Sequence, residues 1–149
     1  MSLNIAVSSD AVRSPLSRSA IAEVARRSLR AERVHHALLS ITVVNGPTIA
    51  RLNKSYLGHA GRTDVISFGF DRATAADPVV GDVYICADVA RRSARARGVG
   101  VREEIARLVI HGVLHVLGYD HPTGDGRERS AMWKRQERLV DVVHGVIRR

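Results

Sequence analysis

Residues 102–121 read REEIARLVIHGVLHVLGYDH, and the interpretation of the whole chain turns on them. Val101, Ile105, Leu108 and Gly112 recur at helical spacing and Gly118 supplies a stop, so the pattern predicts a helix over 102–117. His111 and His115 fall four residues apart, which sends both imidazoles off one face, one turn apart. They lie at the edge of the apolar stripe, where core is expected to meet solvent. Gly118, three residues after His115, takes the left-handed conformation that ends a helix and turns the chain. His121 then swings back as a third ligand.

Three of the seven histidines fall in this short stretch, with helical spacing and a turn glycine between them. That grouping reads as a metal site rather than as ordinary histidines near a core edge. Three nitrogen ligands without cysteine favour one zinc ion, although imidazole also suits nickel, copper or iron. Three protein ligands leave a fourth position for water, the arrangement of a catalytic site. An ion held this way lowers the pKa of its water towards ~7 and polarises a carbonyl or phosphoryl oxygen. The spacing His-x-x-x-His-x-x-Gly-x-x-His is that of metzincin zinc peptidases, but Gly112 stands where those enzymes carry their general-base Glu. Asp120 and Asp125 either orient a ligating histidine or cap the loop and the following helix. Tyr119 either donates at the site or packs against the turn.

Outward from this stretch, Leu3–Ser8, Ala37–Val44, Asp64–Phe70 and Val79–Cys86 read as strands. Ser17–Glu32, Pro47–Leu57 and Asp88–Arg97 read as helices, the second opened by Asn45-Gly46-Pro47 and the third closed by Gly98. A last helix is predicted from about Arg127 to Val146, with Met132, Leu139, Val143 and Val146 on one stripe. Elements in this order predict an α+β (mixed α/β) fold. It would be a single domain over 1–149, with a small mixed sheet of about four strands packed by helices and a zincin-like metal helix.

The chain has 149 residues, 45% of them hydrophobic, which is enough for one real core and excludes a disordered basic tail. One cysteine, Cys86, excludes a disulfide framework and any Cys-rich zinc finger. Aromatic residues make up 4%, which leaves little for a base-stacking surface. No apolar stretch approaches the ~18 residues of a membrane helix, and the start lacks a signal-peptide layout, so a soluble cytoplasmic protein is expected. The formal net charge is +8, and all but two of the 23 basic residues are arginine. Arginine matches phosphate, which points to nucleic acid; a GC-rich coding sequence would give the same bias.

HGVLHVLGYDH (residues 111–121) resembles the signature of the bacterial YbeY family of zinc-dependent, single-strand-specific endoribonucleases. Leu52-Asn53-x-x-Tyr56, Thr63-Asp64-Val65-Ile66-Ser67-Phe68, Gly81-Asp82-Val83-x-Ile85 and Met132 to Glu137 are similar to further blocks, so the likeness runs from about residue 40 to 140. The resemblance implies His111, His115 and His121 as zinc ligands. It also implies a role in ribosomal RNA maturation (16S 3′-end processing) and ribosome quality control. The implied partners are single-stranded RNA, ribosomal RNA or ribosomal subunits, with no membrane and no DNA. Two positions depart from the family: Leu57 replaces an Arg tied to activity, and Arg62 replaces a Pro. Arg62, or His59, is therefore the candidate to supply a catalytic cation from a shifted position, beside the zinc-bound water. Thr63 and Ser67 are assigned to turn bonding and cross-strand packing.

Three functions follow. Metal-dependent cleavage of RNA suits an open metal site without an adjacent Glu. A peptidase is disfavoured by Gly112. A ribosome-associated assembly factor with a largely structural metal is the remaining class, with Arg91, Arg92, Arg95 and Arg97 tracking RNA phosphates from one helix or forming an ordinary solvated face.

Overall fold

The first strand and helix set the frame. Strand β1 (Ser2–Ser9) leads into α1 (Arg18–Ala31), and β2 (His36–Val44) returns parallel to β1, with Leu3 opposite Ala37 and Val7 opposite Ile41. Helix α1 starts where the Ser17 side chain accepts from the Ala20 N–H, and it buries Ile21, Val24 and Leu29. This computed structural model describes residues 2–121 and 124–148, residues 124 and 125 by their backbone alone.

After β2 come α2 (Gly46–Leu57), β3 (Val65–Phe70), β4 (Val79–Cys86), α3 (Ala87–Arg97) and α4 (Val101–Val116). The strand order is β1-β2-β4-β3, with β4 parallel to β2 and β3 antiparallel to β4 at the edge. The expected mixed sheet of four strands is what forms. Alternation along the strands sends Leu39, Ile41, Val83 and Ile85 into the main core with α1 and α4. A smaller cluster of Val44, Ile49, Ile66 and Cys86 seats α2 on the other face. Burial there pushes the Cys86 thiol above its ordinary pKa, so it behaves as a small apolar side chain.

The last predicted helix is broken. A 3₁₀ turn (Gly124–Arg129) is followed by α5 (Ala131–Val142) and a short α6 (His144–Ile147). Ser130 causes the first break: its Oγ accepts from the Trp133 N–H and donates to the Arg127 carbonyl, capping a new helix. The stripe survives, since Met132, Leu139, Val143 and Val146 are all buried.

Helix α4 differs from the edge-stripe expectation, because nearly every residue from Glu104 to Leu114 is buried. It approaches the sheet closely at Gly112, where an added Cβ would lie 2.5 Å from Val83 Cγ1. Val83 is itself fully buried and has nowhere to go. Gly112→Ala should therefore lower unfolding free energy by about 1–3 kcal/mol, outweighing the gain of up to about 1 kcal/mol in helix propensity. Urea denaturation checks this, and a midpoint equal to or above wild type would show that Val83 gives way.

Candidate metal centre

Helix α4 delivers the first two imidazoles, and the turn after it delivers the third. Gly118 sits at φ 101°, with its N–H on the His115 carbonyl and the Tyr119 N–H on the Leu114 carbonyl. This glycine-dependent double closure reverses the chain within three residues. It brings His121 to the other two, with ring centroids 5.0 Å from both His111 and His115, which are 4.6 Å from each other. One ligand nitrogen from each of the three lies within 4.8 Å of the others. His111 is 3% exposed, deeper than the core edge, while His115 and His121 are half-buried.

The nitrogens left free are fixed by hydrogen bonds. Gln136 Oε1 accepts from His111 Nδ1 at 2.6 Å, and Gln136 Nε2 donates to Glu137 at 3.0 Å, which settles the amide orientation. Glu137 in turn accepts two bonds from Arg107, at 2.9 and 3.0 Å, and Arg107 also donates to Glu104 at 2.9 Å. The Tyr119 carbonyl accepts from His115 Nδ1 at 3.0 Å. Both histidines thus keep Nε2 for an external partner, the condition a metal ligand must meet. Burial first, then the His115 and Arg127 charges, lowers His111 from 6.5 to about 4, against the opposing bond to Gln136. Burial, then the His121 charge, lowers His115 as well. Neutral imidazoles with one preset nitrogen fit a borderline divalent cation.

The flanking residues resolve into roles. Asp120 Oδ1 accepts from the His121 N–H at 2.8 Å, so it closes the loop. The Asp125 side chain lies outside the described residues. Tyr119 points away from the site and donates its hydroxyl to Glu32, which Arg135 also grips. It serves the site through its carbonyl.

The histidines open into a cavity of about 300 Å³ whose other walls include Leu57, Asp64, Ser67 and Arg127. Thr63 lines it too, so two residues assigned to packing face the site. Arg62 is not among the lining residues. Its guanidinium packs on the start of α2, where a Cβ at Gly46 would lie 2.2 Å from Arg62 Cζ. His59 is exposed on the same loop and lines no part of the cavity. The cation in the cavity is Arg127, 3.9 Å from Asp64. The sequence places Asp64 and Gln136 inside family-like blocks and Arg127 at the start of the last helix, and assigns none of them a role at the site. Gln136 also carries a signal of its own, as a polar residue on the stripe between Met132 and Leu139. A larger groove, about 430 Å³, on the open sheet face carries a single ionisable side chain, Asp82, and so lacks this chemistry.

A family model described as Endoribonuclease YbeY matches residues 4–144. The chain belongs to the YbeY family. A protein of that description from Nocardioides sp. (strain ATCC BAA-499 / JS614) is 39% identical over 134 residues, 85% of this chain and 89% of that one. The Frankia alni protein is 42% identical over 114 residues, 70% of this chain and 62% of its own length. The solution structure of a Thermotoga maritima protein matches with a TM-score of 0.63 at 24% identity, covering 97% of this chain and 91% of that one, and so shares the fold. Within this YbeY-family chain, Leu57 presents an apolar side chain to the cavity.

Two outcomes follow from the hydrogen bonds. Gln136→Leu should weaken divalent-metal affinity about 10–100-fold, read by competition with a chromophoric chelator; unchanged affinity would separate Gln136 from the site. In metal-free protein, the unfolded chain protonates His111 near 6.5 and the folded chain only near 4. Stability from this group is therefore complete above about pH 6.5 and declines as pH falls towards 4, by on the order of 3 kcal/mol. NMR titration of His111 in the chelated protein checks the midpoint, and a value near 6.5 would contradict it.

Proposed function

We propose that this chain is a metal-dependent endoribonuclease that cleaves single-stranded RNA, with one zinc ion held by His111, His115 and His121. The observation that carries this is a cluster of three imidazoles, two of them (His111 and His115) with pKa lowered by burial, open to a cavity that holds an arginine and has no room for a base beside the first ligand. When bound, zinc would supply Lewis-acid polarisation of a phosphoryl oxygen and neutralise charge there. The chain's own residues do the rest. Gln136 and the Tyr119 carbonyl hold two imidazoles in register, and Leu57 adds an apolar side chain to one wall.

A peptidase needs a general base next to the first histidine, and Val83 fills the space any side chain at 112 would need. RNA places a smaller demand on the protein, because its 2′-hydroxyl offers an internal nucleophile. The relatives described as Endoribonuclease YbeY support RNA as substrate. Ribosomal RNA as the target, 16S 3′ ends and ribosome quality control included, draws support from the resemblance and from the net charge of +8. Arg91, Arg92 and Arg95 are exposed along α3 and suit phosphate contacts, whereas Arg97 is occupied by Glu104 and the Trp133 ring.

The test is zinc-loaded protein on end-labelled single-stranded RNA, with and without chelator, beside His115→Ala. Cleavage should fall at least 100-fold in both, with circular dichroism unchanged. A 2′,3′-cyclic phosphate end would identify attack by the 2′-hydroxyl. Cleavage that survives both treatments would overturn the site, and loss of fold on chelation would favour the structural-metal reading.

A further inference from the structure

We propose that Arg127 is the residue that binds the substrate phosphate in this cavity, a role neither Leu57 nor Arg62 fills. The inference rests on reading the cavity as the RNA-cleaving site. Three observations support it independently of any relative.

Arg127 is the cationic side chain among the cavity's lining residues, on a wall shared with the three histidines. Its Nε is buried and has no hydrogen-bond partner. Among the described residues its ion-pair partner is Asp64 Oδ2 at 3.9 Å, a distance that gives charge attraction but no hydrogen bond. The side chain as a whole is 32% exposed, so the guanidinium is reachable from the cavity it lines while one of its N–H groups is left without an acceptor. Phosphate supplies such an acceptor, and the guanidinium fork matches its paired oxygens.

The backbone that carries this fork is held at its carbonyl. The Arg127 carbonyl accepts both the Ser130 hydroxyl at 2.7 Å and the Ser130 N–H at 3.2 Å, and Ser130 caps α5 in the same gesture. Arg127 is thus tied to α5, the helix that also carries Gln136 and so positions His111. The 3₁₀ turn that Ser130 ends carries Arg127, which lines the same cavity as the three histidines.

The charge balance is consistent with an anionic ligand. Asp64 is the only carboxylate among the described lining residues, against Arg127 and any divalent ion on the histidines. Asp64 and Arg127 balance each other, so a divalent ion on the histidines would make the cavity net positive and favour phosphodiester over neutral substrates.

The test separates binding from cleavage. Chelated, metal-free protein is titrated with a fully 2′-O-methylated single-stranded oligonucleotide, which removes the internal nucleophile, across a range of salt. Arg127→Ala should weaken affinity several-fold and reduce the slope of log K against log[salt] by about 0.7, the value for one phosphate contact on a single strand. Arg129→Ala, an exposed neighbour on the same turn, should leave that slope nearer to wild type. Arg127→Lys should recover much of the affinity and little of the cleavage rate, because it keeps the charge and loses the fork. Unchanged affinity and slope in Arg127→Ala would overturn the assignment, as would a larger loss in Arg62→Ala. Loss of zinc affinity or of thermal stability in Arg127→Ala would also overturn it, by showing a structural role through Asp64. Were the zinc-loaded protein inactive on RNA, the binding slope would still report on Arg127, so the two readings fail separately.

Discussion

A helix buried on nearly every side can carry polar side chains only where each one is paired, and α4 carries three at depth. Glu104, Arg107 and His111 are at most 7% exposed. Burial opposes the Arg107 charge, but its hydrogen bonds to Glu137 and Glu104 outweigh that and hold its pKa above the ordinary value. Glu137 then takes Gln136, and Gln136 takes His111. The consequence is registration. Apolar packing alone tolerates small slides between α4 and α5, whereas this chain of bonds is satisfied in one register, and breaking a buried charge pair costs about 3–5 kcal/mol.

The metal centre inherits that rigidity. His111 is aimed by a side chain that is itself aimed, and His115 by a carbonyl whose residue is anchored on Glu32. The opening comes from the sheet order, because β3 is the last strand and its residues Val65 to Ser67 line the cavity. A strand beyond β3 would close it. The site therefore combines a fixed inner wall with an accessible outer one, as preorganised electrostatic catalysis requires.

Periodic features were legible in the sequence. Four strands, the α4 helix, its glycine stop and the three-histidine spacing are all local patterns, and each stands within a few residues of where it was expected. What depends on neighbours in space was not. The depth of His111 comes from α1, α5 and the sheet together, which no helical stripe reveals. The break at Ser130 hid inside a run with good helical periodicity, since one capping hydroxyl overrides the pattern. Arg62 lies close to the site in sequence, yet the loop held by the bond from Asn53 Nδ2 to the Gly61 carbonyl precedes a side chain lying on Gly46. Arg127 sits sixteen residues beyond His111, and only the reversal at Gly118 and the 3₁₀ turn bring it back.

The arginine excess divides along the same line. Arg26 and Arg27 bind Glu23 on the surface of α1, where such pairs contribute little. Arg107 and Arg135 hold elements together, and Arg97 stacks over Trp133. Arg127 differs because its ion-pair partner among the described residues is beyond hydrogen-bond reach while its Nε is already out of water. An arginine with an unsatisfied, buried Nε beside three imidazoles is costly for a structural element and useful for an anion-binding one. Peptide hydrolysis would call for a base at 112, where Val83 leaves no room. Phosphodiester chemistry calls for positive charge and can draw its nucleophile from the substrate, and that is the chemistry these walls favour.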